Sequence, residues 1–283
     1  MATFREFEQD SWEDVEVCAT YGDRFGRVVA QAIGPVLDAV NVGPRDDLLD
    51  VATGSGAFAA AAAGLGATAV GIDFSGEQLR LARAAHPAAS FEPGDAAALP
   101  FGPARFDVVV CNLGVPHFAQ PEAFFREAFR VLRPSGRFAF TVWAEPARTR
   151  AFAAIYGAIQ RHGSLDVGLP PGPNFFLYAD EDQSRTSLTA TGFVAVAVTT
   201  IAQTWTVRDA DDVFTSILNG TVRAAAVLKR QPPDVLSRIR QSVRAEIETY
   251  ADGDCYRIPM PAVLTTATKP PAGPTEEVVT RRP

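Results

Sequence analysis

Residues 48–75 read LLDVATGSGAFAAAAAGLGATAVGIDFS, and the fold is decided by this stretch. A short apolar run, residues 48–52, is interrupted only by Asp50. Gly54-Ser55-Gly56 follows, then an alanine-rich segment that breaks at Gly64 and Gly66. A second apolar run, residues 67–72, ends in Asp73. Strand, glycine turn, helix and strand in that order make one βαβ unit. Without Cβ atoms the glycines let the chain turn sharply and let a ligand approach the backbone. The turn opens a helix whose free N–H groups attract polar or anionic groups. Asp73, at the tip of the next strand, is placed to accept hydrogen bonds from two ribose hydroxyls.

Either of two nucleotide cofactors suits this unit. Gly54, Gly56 and Ala59 satisfy G-x-G-x-x-G/A, with Asp73 near the interval of a dinucleotide fold. Asp50, Gly54 and Gly56 also form D-x-x-x-G-x-G, the better match. It resembles the first motif of class I S-adenosylmethionine (SAM)-dependent methyltransferases.

Composition sets outer bounds. The 283 residues allow one large domain, or one with a sizeable insertion. Hydrophobic residues at 47% and charged residues at 21% are ordinary for a globular protein. A net charge of −7 argues against a nucleic-acid partner, since no basic surplus faces phosphates. Cys18, Cys111 and Cys255 lie far apart, without metal-type spacing, so a reducing cytoplasm is expected and no metal is called for. The acidic N-terminus has no apolar signal core, and no run reaches the ~18 apolar residues of a membrane span.

Residues 1–10 show no strong pattern. Over 11–40 the apolar spacing predicts two helices, broken near Tyr21-Gly22 and perturbed by Gly34-Pro35. Such a segment would cover a cofactor, with Trp12 and Tyr21 as lid residues or as plain core packing. Ser75 caps a helix to about residue 85, and residues 89–92 read as a third strand. Gly94-Asp95-Ala96 and Leu99-Pro100-Phe101 follow. FDVVVC, residues 106–111, has the character of a strand buried on both faces of a parallel sheet. The segment 112–118 at its carboxyl end faces the ligand crevice of such sheets. Pro121 starts an amphipathic helix with Phe124, Phe125, Ala128, Phe129 and Leu132 as its buried stripe. A turn at 133–136 leads to a fifth strand, RFAFTVW, at 137–143.

In this order, residues 45–145 closely resemble the ubiquinone/menaquinone-biosynthesis type of class I methyltransferase, which includes many natural-product methyltransferases. The resemblance implies an α/β fold: a doubly wound, mostly parallel seven-stranded sheet of Rossmann-like form. It implies SAM as cofactor, yielding S-adenosylhomocysteine (SAH). The residues that match the family's cofactor site are Asp50, Ala52, Thr53, Gly54, Gly56, Asp73, Phe74, Asp95, Ala96, Asn112 and Leu113. Asp95 would accept from the adenine amino group, and Ala96 would offer its backbone N–H. The chain departs from the family at Ala52-Thr53, where glycine and cysteine are more usual. The change is expected to be tolerated, since both positions can serve through their backbone.

A minimal fold of this kind would pass quickly from the fifth strand to the last helix and two final strands. Here two insertions intervene. The expected organisation is an N-terminal helical lid (1–44), a cofactor-binding core (45–145) and a cap insertion (146–180). A core helix and strand (181–207) follow, then a helical cap insertion (208–255), a last core strand (256–269) and a loose tail (270–283). The insertions map to the carboxyl side of the sheet, where caps exclude water and shape the acceptor pocket. Tyr21, His117, Trp143, Tyr156, Phe175, Phe176, Tyr178, Asn219 and Arg223 are its candidate lining residues; ordinary packing or surface roles compete for the insertion residues. Helical caps of this kind also accommodate a homodimer.

Methyl transfer is an in-line displacement that needs an aligned acceptor and often a base. His117 is the best base candidate, because imidazole titrates near neutrality. Tyr156 and His162 are weaker ones. The leading expectation is methylation of O, N or C in a small, apolar or aromatic metabolite. An NAD(P)-dependent oxidoreductase lacks support, since the only lysines, Lys229 and Lys269, build no Tyr-x-x-x-Lys. A third reading is a cofactor-binding protein without transfer chemistry, serving as a cyclase or an interaction module.

Overall fold

The computed structural model describes residues 2–272. Three helices precede the first strand: α1 (Phe4–Trp12), α2 (Val15–Val29) and α3 (Ile33–Ala39). α1 lies in the segment that shows no strong apolar pattern. Its start is a capping box: Thr3 Oγ1 accepts from Glu6 N at 3.2 Å, and the Glu6 carboxylate accepts from Thr3 N at 2.7 Å. The helix break expected at Tyr21-Gly22 falls instead at Glu13-Asp14, where Asp14 caps α2. α2 runs through Gly22, because one glycine costs a helix only about 1 kcal/mol. The burial of Val17, Cys18, Phe25 and Val28 outweighs that. Pro35 sits in the first turn of α3, where its missing N–H is harmless.

The core then alternates: β1 (Asp47–Val51), α4 (Ala57–Gly64), β2 (Thr68–Asp73), α5 (Gly76–Ala85), β3 (Ser90–Pro93), β4 (Phe106–Asn112), α6 (Pro121–Val131) and β5 (Leu132–Trp143). α7 (Arg150–His162) opens the first insertion, and α8 (Glu181–Thr191) and β6 (Val194–Ile201) return to the core. β7 (Thr204–Val207), α9 (Asp211–Gly220), α10 (Arg223–Lys229), α11 (Pro233–Glu248), β8 (Ala251–Asp252) and β9 (Cys255–Pro259) follow, and β10 (Ala262–Thr268) closes the sheet. Its order is β3-β2-β1-β4-β5-β10-β6, seven strands of which only β10 runs antiparallel to its neighbours. This is the doubly wound, mostly parallel sheet anticipated from the sequence. β4 shows why its run is apolar throughout. Val109 and Cys111 enter one core with Phe124 and Phe125 of α6, while Val108 and Val110 enter the opposite core with Phe58 and Ala59 of α4. Each such buried side chain contributes about 1.5–3 kcal/mol.

Three boundaries differ from expectation. The turn expected at 133–136 is absorbed into β5 as an irregular stretch: Ser135 has φ 62°, and the pairing with β4 shifts register between Phe106 and Val108. The core segment expected at 181–207 stops short: its strand, which the apolar run predicts over 193–201, ends at Ile201 and does not continue through Thr206. Gln203 is buried there and donates to Val28 O at 2.7 Å, so the chain is diverted toward α2. Residues 204–207 therefore pair with β9, which in turn pairs with β8, in a separate three-stranded sheet. Likewise the segment 256–269 is core only from Ala262, where the run AVLTTAT predicts its strand over 262–268, since Cys255–Pro259 belongs to that small sheet. The cap is thus part sheet. α2, α7, α9 and α11 pack with β7 and β9 on one apolar core, with Phe25, Ile155, Trp205, Phe214, Ile239 and Ile258 buried in it. Of the tail expected at 270–283, residues 273–283 lie outside the described residues. No described helix is long and apolar enough to cross a membrane.

Candidate active site

β1 and β4 are neighbours, yet the chain runs from β1 to β2 on one side and from β4 to β5 on the other. Ligands of open α/β sheets bind at the carboxyl ends of strands at such a switch point. A cleft opens there, between the glycine loop, the β4 end and α2. Asp50, Ala52, Thr53, Gly54, Asp73, Phe74, Asn112 and Leu113 all line it.

Two buried carboxylates shape the loop. Asp50 Oδ2 accepts from Thr53 Oγ1 at 2.6 Å and from Ala59 N at 3.2 Å. Asp73 Oδ2 accepts from Gly54 N at 2.9 Å, and Oδ1 from Ser75 N at 3.0 Å. Burial pushes the Asp50 carboxyl up to about 7 and raises that of Asp73, against the hydrogen bonds, which act the other way. Gly56 has φ +83°, and a Cβ there would lie 2.5 Å from the Phe91 ring, so no other residue fits. Gly56 thus supports the loop from beneath and does not itself line the cleft. Ala52 has φ 57° and Leu113 φ 60°, left-handed values that cost non-glycine residues roughly 1–2 kcal/mol. Both strained residues face the cleft, at the ends of its two central strands. Leu113 is held in place by Thr141, whose Oγ1 accepts from Leu113 N at 2.9 Å and donates to Asn112 Oδ1 at 2.6 Å.

Asp95 and Ala96 sit beyond Phe74, in an adjoining cavity of about 640 Å³ that shares Phe74, His117 and Phe118 with the cleft. Asp95 Oδ1 accepts from Ala97 N at 2.9 Å, and Oδ2 pairs with Arg5 Nη2 at 2.6 Å. That ion pair is one of several ties that close α1 over the cleft. Trp12 O accepts from Ser75 Oγ at 2.6 Å, and Glu13 Oε1 from Gly76 N at 2.8 Å. The fourth tie is chemical in character. His117 Nδ1 lies 2.9 Å from Glu8 Oε2, and Glu8 is only 3% exposed. Sequence reasoning missed Glu8, because it falls before the first clear apolar repeat. The capping box Thr3-x-x-Glu6 was the signal that a helix starts there.

His117 also borders a third cavity, between the core and the cap. Tyr21, Trp143, Tyr156, Phe175 and Arg223 line it, as do Phe25 and Phe152, which the sequence did not single out. The Trp12 and Phe175 rings meet the His117 ring edge-on, with centroids 5.3 and 5.7 Å away. Phe176 stands behind, edge-on to Phe175 and Tyr156. Two expected pocket residues are elsewhere. Tyr178 is core: its ring meets Phe125 and Phe140, and its hydroxyl donates to Glu122 Oε1 at 2.8 Å. The short helical turn Leu177–Ala179 directs it under the sheet, away from the cavity. Asn219 is on the exposed side of α9, at an outer groove with Thr20 and Asp23, because Phe214 and Ile217 claim the buried face. His162, the last residue of α7, borders none of these three cavities.

Buried Asp73 with lone pairs to spare, left-handed loop and crevice at the switch point fit a nucleoside cofactor whose ribose donates two hydroxyls. They agree with the class I SAM-dependent methyltransferase resemblance of the sequence. Residues 49–140 match the family described as "Methyltransferase domain". It is 34% identical over 111 residues to a demethylmenaquinone methyltransferase of Renibacterium salmoninarum, covering 39% of this chain and 47% of that protein. The chain spans about half the length of the curated relatives it matches. Two solved structures share the fold. One is a Haemonchus contortus phosphoethanolamine N-methyltransferase in complex with SAH, at TM-score 0.55 and 18% identity, covering 95% of this chain and 61% of that one. The other is the (4+2)-cyclase SpnF, at TM-score 0.57 and 19% identity, covering 96% and 98%.

Proposed function

We propose that the chain transfers a methyl group from SAM to O, N or C of a small aromatic or apolar metabolite, of the kind found in quinone-like or secondary metabolism. The observation that carries this reading is the position of His117, which borders both the cofactor cleft and the aromatic cavity beside it. Bound in the cleft, SAM supplies an electrophilic methyl. Asp73 would accept from its ribose hydroxyls, and Gly54, Phe74 and Asp95 would help to hold it. The aromatic walls exclude water and align the acceptor, which is the main requirement of an in-line displacement. Glu8 accepts the Nδ1 proton of His117 and fixes the tautomer, so Nε2 is free to take the acceptor's proton. Because Glu8 belongs to α1, the base is completed only when that helix covers the cleft.

The test is SAH formation from SAM with a panel of phenolic, quinol and amine acceptors. Turnover supports the reading. Tight SAH binding with no turnover on any acceptor, together with conversion of an acceptor without loss of SAM, favours the non-methylating cyclase.

A further inference from the structure

The aromatic cavity holds one feature that an apolar pocket does not need. Arg223 extends into it from the start of α10. Its one hydrogen bond goes from Nη1 to Pro170 O at 2.9 Å, and no carboxylate pairs with it among the described residues. Several cap arginines do find acids, Arg150 with Glu246, Arg240 with Asp211 and Arg244 with Glu248, while Arg161 and Arg230, which also lack a carboxylate partner among the described residues, line none of the three cavities. Helix stability does not account for Arg223, since a cation in the first turn opposes the helix dipole. The remaining guanidinium N–H groups form a flat fork suited to two oxygens of one anionic group. Aromatic walls of low polarity strengthen such a contact. Tyr156 lies in the same cavity, and burial raises its hydroxyl above the ordinary range, so it remains a donor.

We infer that the acceptor is a flat aromatic molecule bearing an anionic oxygen, carboxylate or phenolate, which Arg223 binds while the atom to be methylated lies at His117. This rests on the methyltransferase reading and narrows its substrate class. Arg223 is then a specificity residue, acting on acceptor binding and not on the cofactor.

The experiment is calorimetric titration of SAH-saturated protein with benzoate, salicylate and naphthoate acids, acidic phenols, and the matched methyl esters and methyl ethers. The wild type is expected to bind at least one anionic probe ~10–100-fold more tightly than its neutral match, the range of a charge-assisted hydrogen bond. Arg223→Gln should abolish that preference and leave SAH affinity unchanged, whereas Arg223→Lys should keep part of it. Preference for acids identifies a carboxylate; preference for phenols, present only where they are ionised, identifies a phenolate. Equal binding of anionic and neutral probes, no binding of any anionic probe, or a preference that survives in Arg223→Gln overturns the inference. If Arg223→Gln loses SAH binding and hence its fold, the wild-type preference and the Arg223→Lys comparison decide. Failure of the wild type to bind SAH would sink the underlying reading; SAH binding without anion preference sinks only this one.

Discussion

Asp73 and Asp50 lie on either side of the glycine loop, and burial acts on both. Asp73 must be ionised to accept two ribose hydroxyls at full strength, yet burial raises its carboxyl above the ordinary value of 3.8. SAH affinity is therefore predicted to fall on acidification at a higher pH than an unperturbed carboxylate would give, measured by calorimetric titration from pH 8 downward. Asp50 bears instead on stability. Its folded value is about 7, against 3.8 for an unperturbed carboxyl. Between those values the folded protein keeps a proton that the unfolded chain has lost. This group's contribution is complete below 3.8 and falls away as pH rises toward 7. Asp50→Asn keeps an acceptor oxygen without the charge. Its thermal midpoint, relative to wild type, is expected to improve steadily from pH 4 to 8; a constant difference would contradict this. For the proposed base, Glu8→Gln should lower kcat by about 10–100-fold with little change in the KM for SAM, and His117→Ala by at least as much. Unchanged turnover in His117→Ala would remove it from the chemistry.

At the scale of elements, α1 is the proposed lid. It is held by the Arg5–Asp95 pair, the Trp12 carbonyl and Glu13 at the start of α5. An exposed pair contributes little alone, while a carboxylate on helix N–H groups contributes about 1 kcal/mol. Arg5→Ala combined with Glu13→Gln is predicted to speed SAH release about fivefold, read by stopped-flow displacement. An unchanged rate would mean that α1 is no lid. The loop at Ala52 offers a contrasting test. Glycine is cheaper than alanine at φ 57°, so Ala52→Gly should stabilise the apo protein by about 0.5–1 kcal/mol in denaturant unfolding. How far these elements were legible depends on what fixes them. β1 to β5 follow from local pattern: apolar runs, Gly54 and Gly56, Ser75 as cap and Pro121 as helix start. β7 and β9 do not, since their pairing is fixed by Gln203 and Gln31 reaching elements some 170 residues away. Tyr178 misled for the same reason. Its neighbours Phe175 and Phe176 do face the cap, and only tertiary packing shows that the next turn points inward.

Over the whole molecule, the cofactor cleft lies in the core and the aromatic cavity lies between core and cap. The two meet at His117. The core matches its relatives over residues 49–140, and the cap is where this chain differs from a minimal fold. The lining of the cleft was therefore readable by position, because Asp50, Gly54 and Asp73 keep fixed places along one βαβ unit. The lining of the aromatic cavity was readable only by type, since Arg223 and Tyr156 come together through the packing of α7 and α10. Glu8 was not readable at all without knowing that α1 folds across the sheet. The dinucleotide alternative shares the glycine loop and Asp73, so affinity for the cofactor separates the two directly. The decisive measurement is calorimetric binding of SAH and, separately, NADH to the wild type and to Asp73→Ala. The predicted result is SAH binding that Asp73→Ala weakens by about 10–100-fold, the loss of charge-assisted hydrogen bonds, with no binding of NADH. Binding of NADH without SAH would contradict the account.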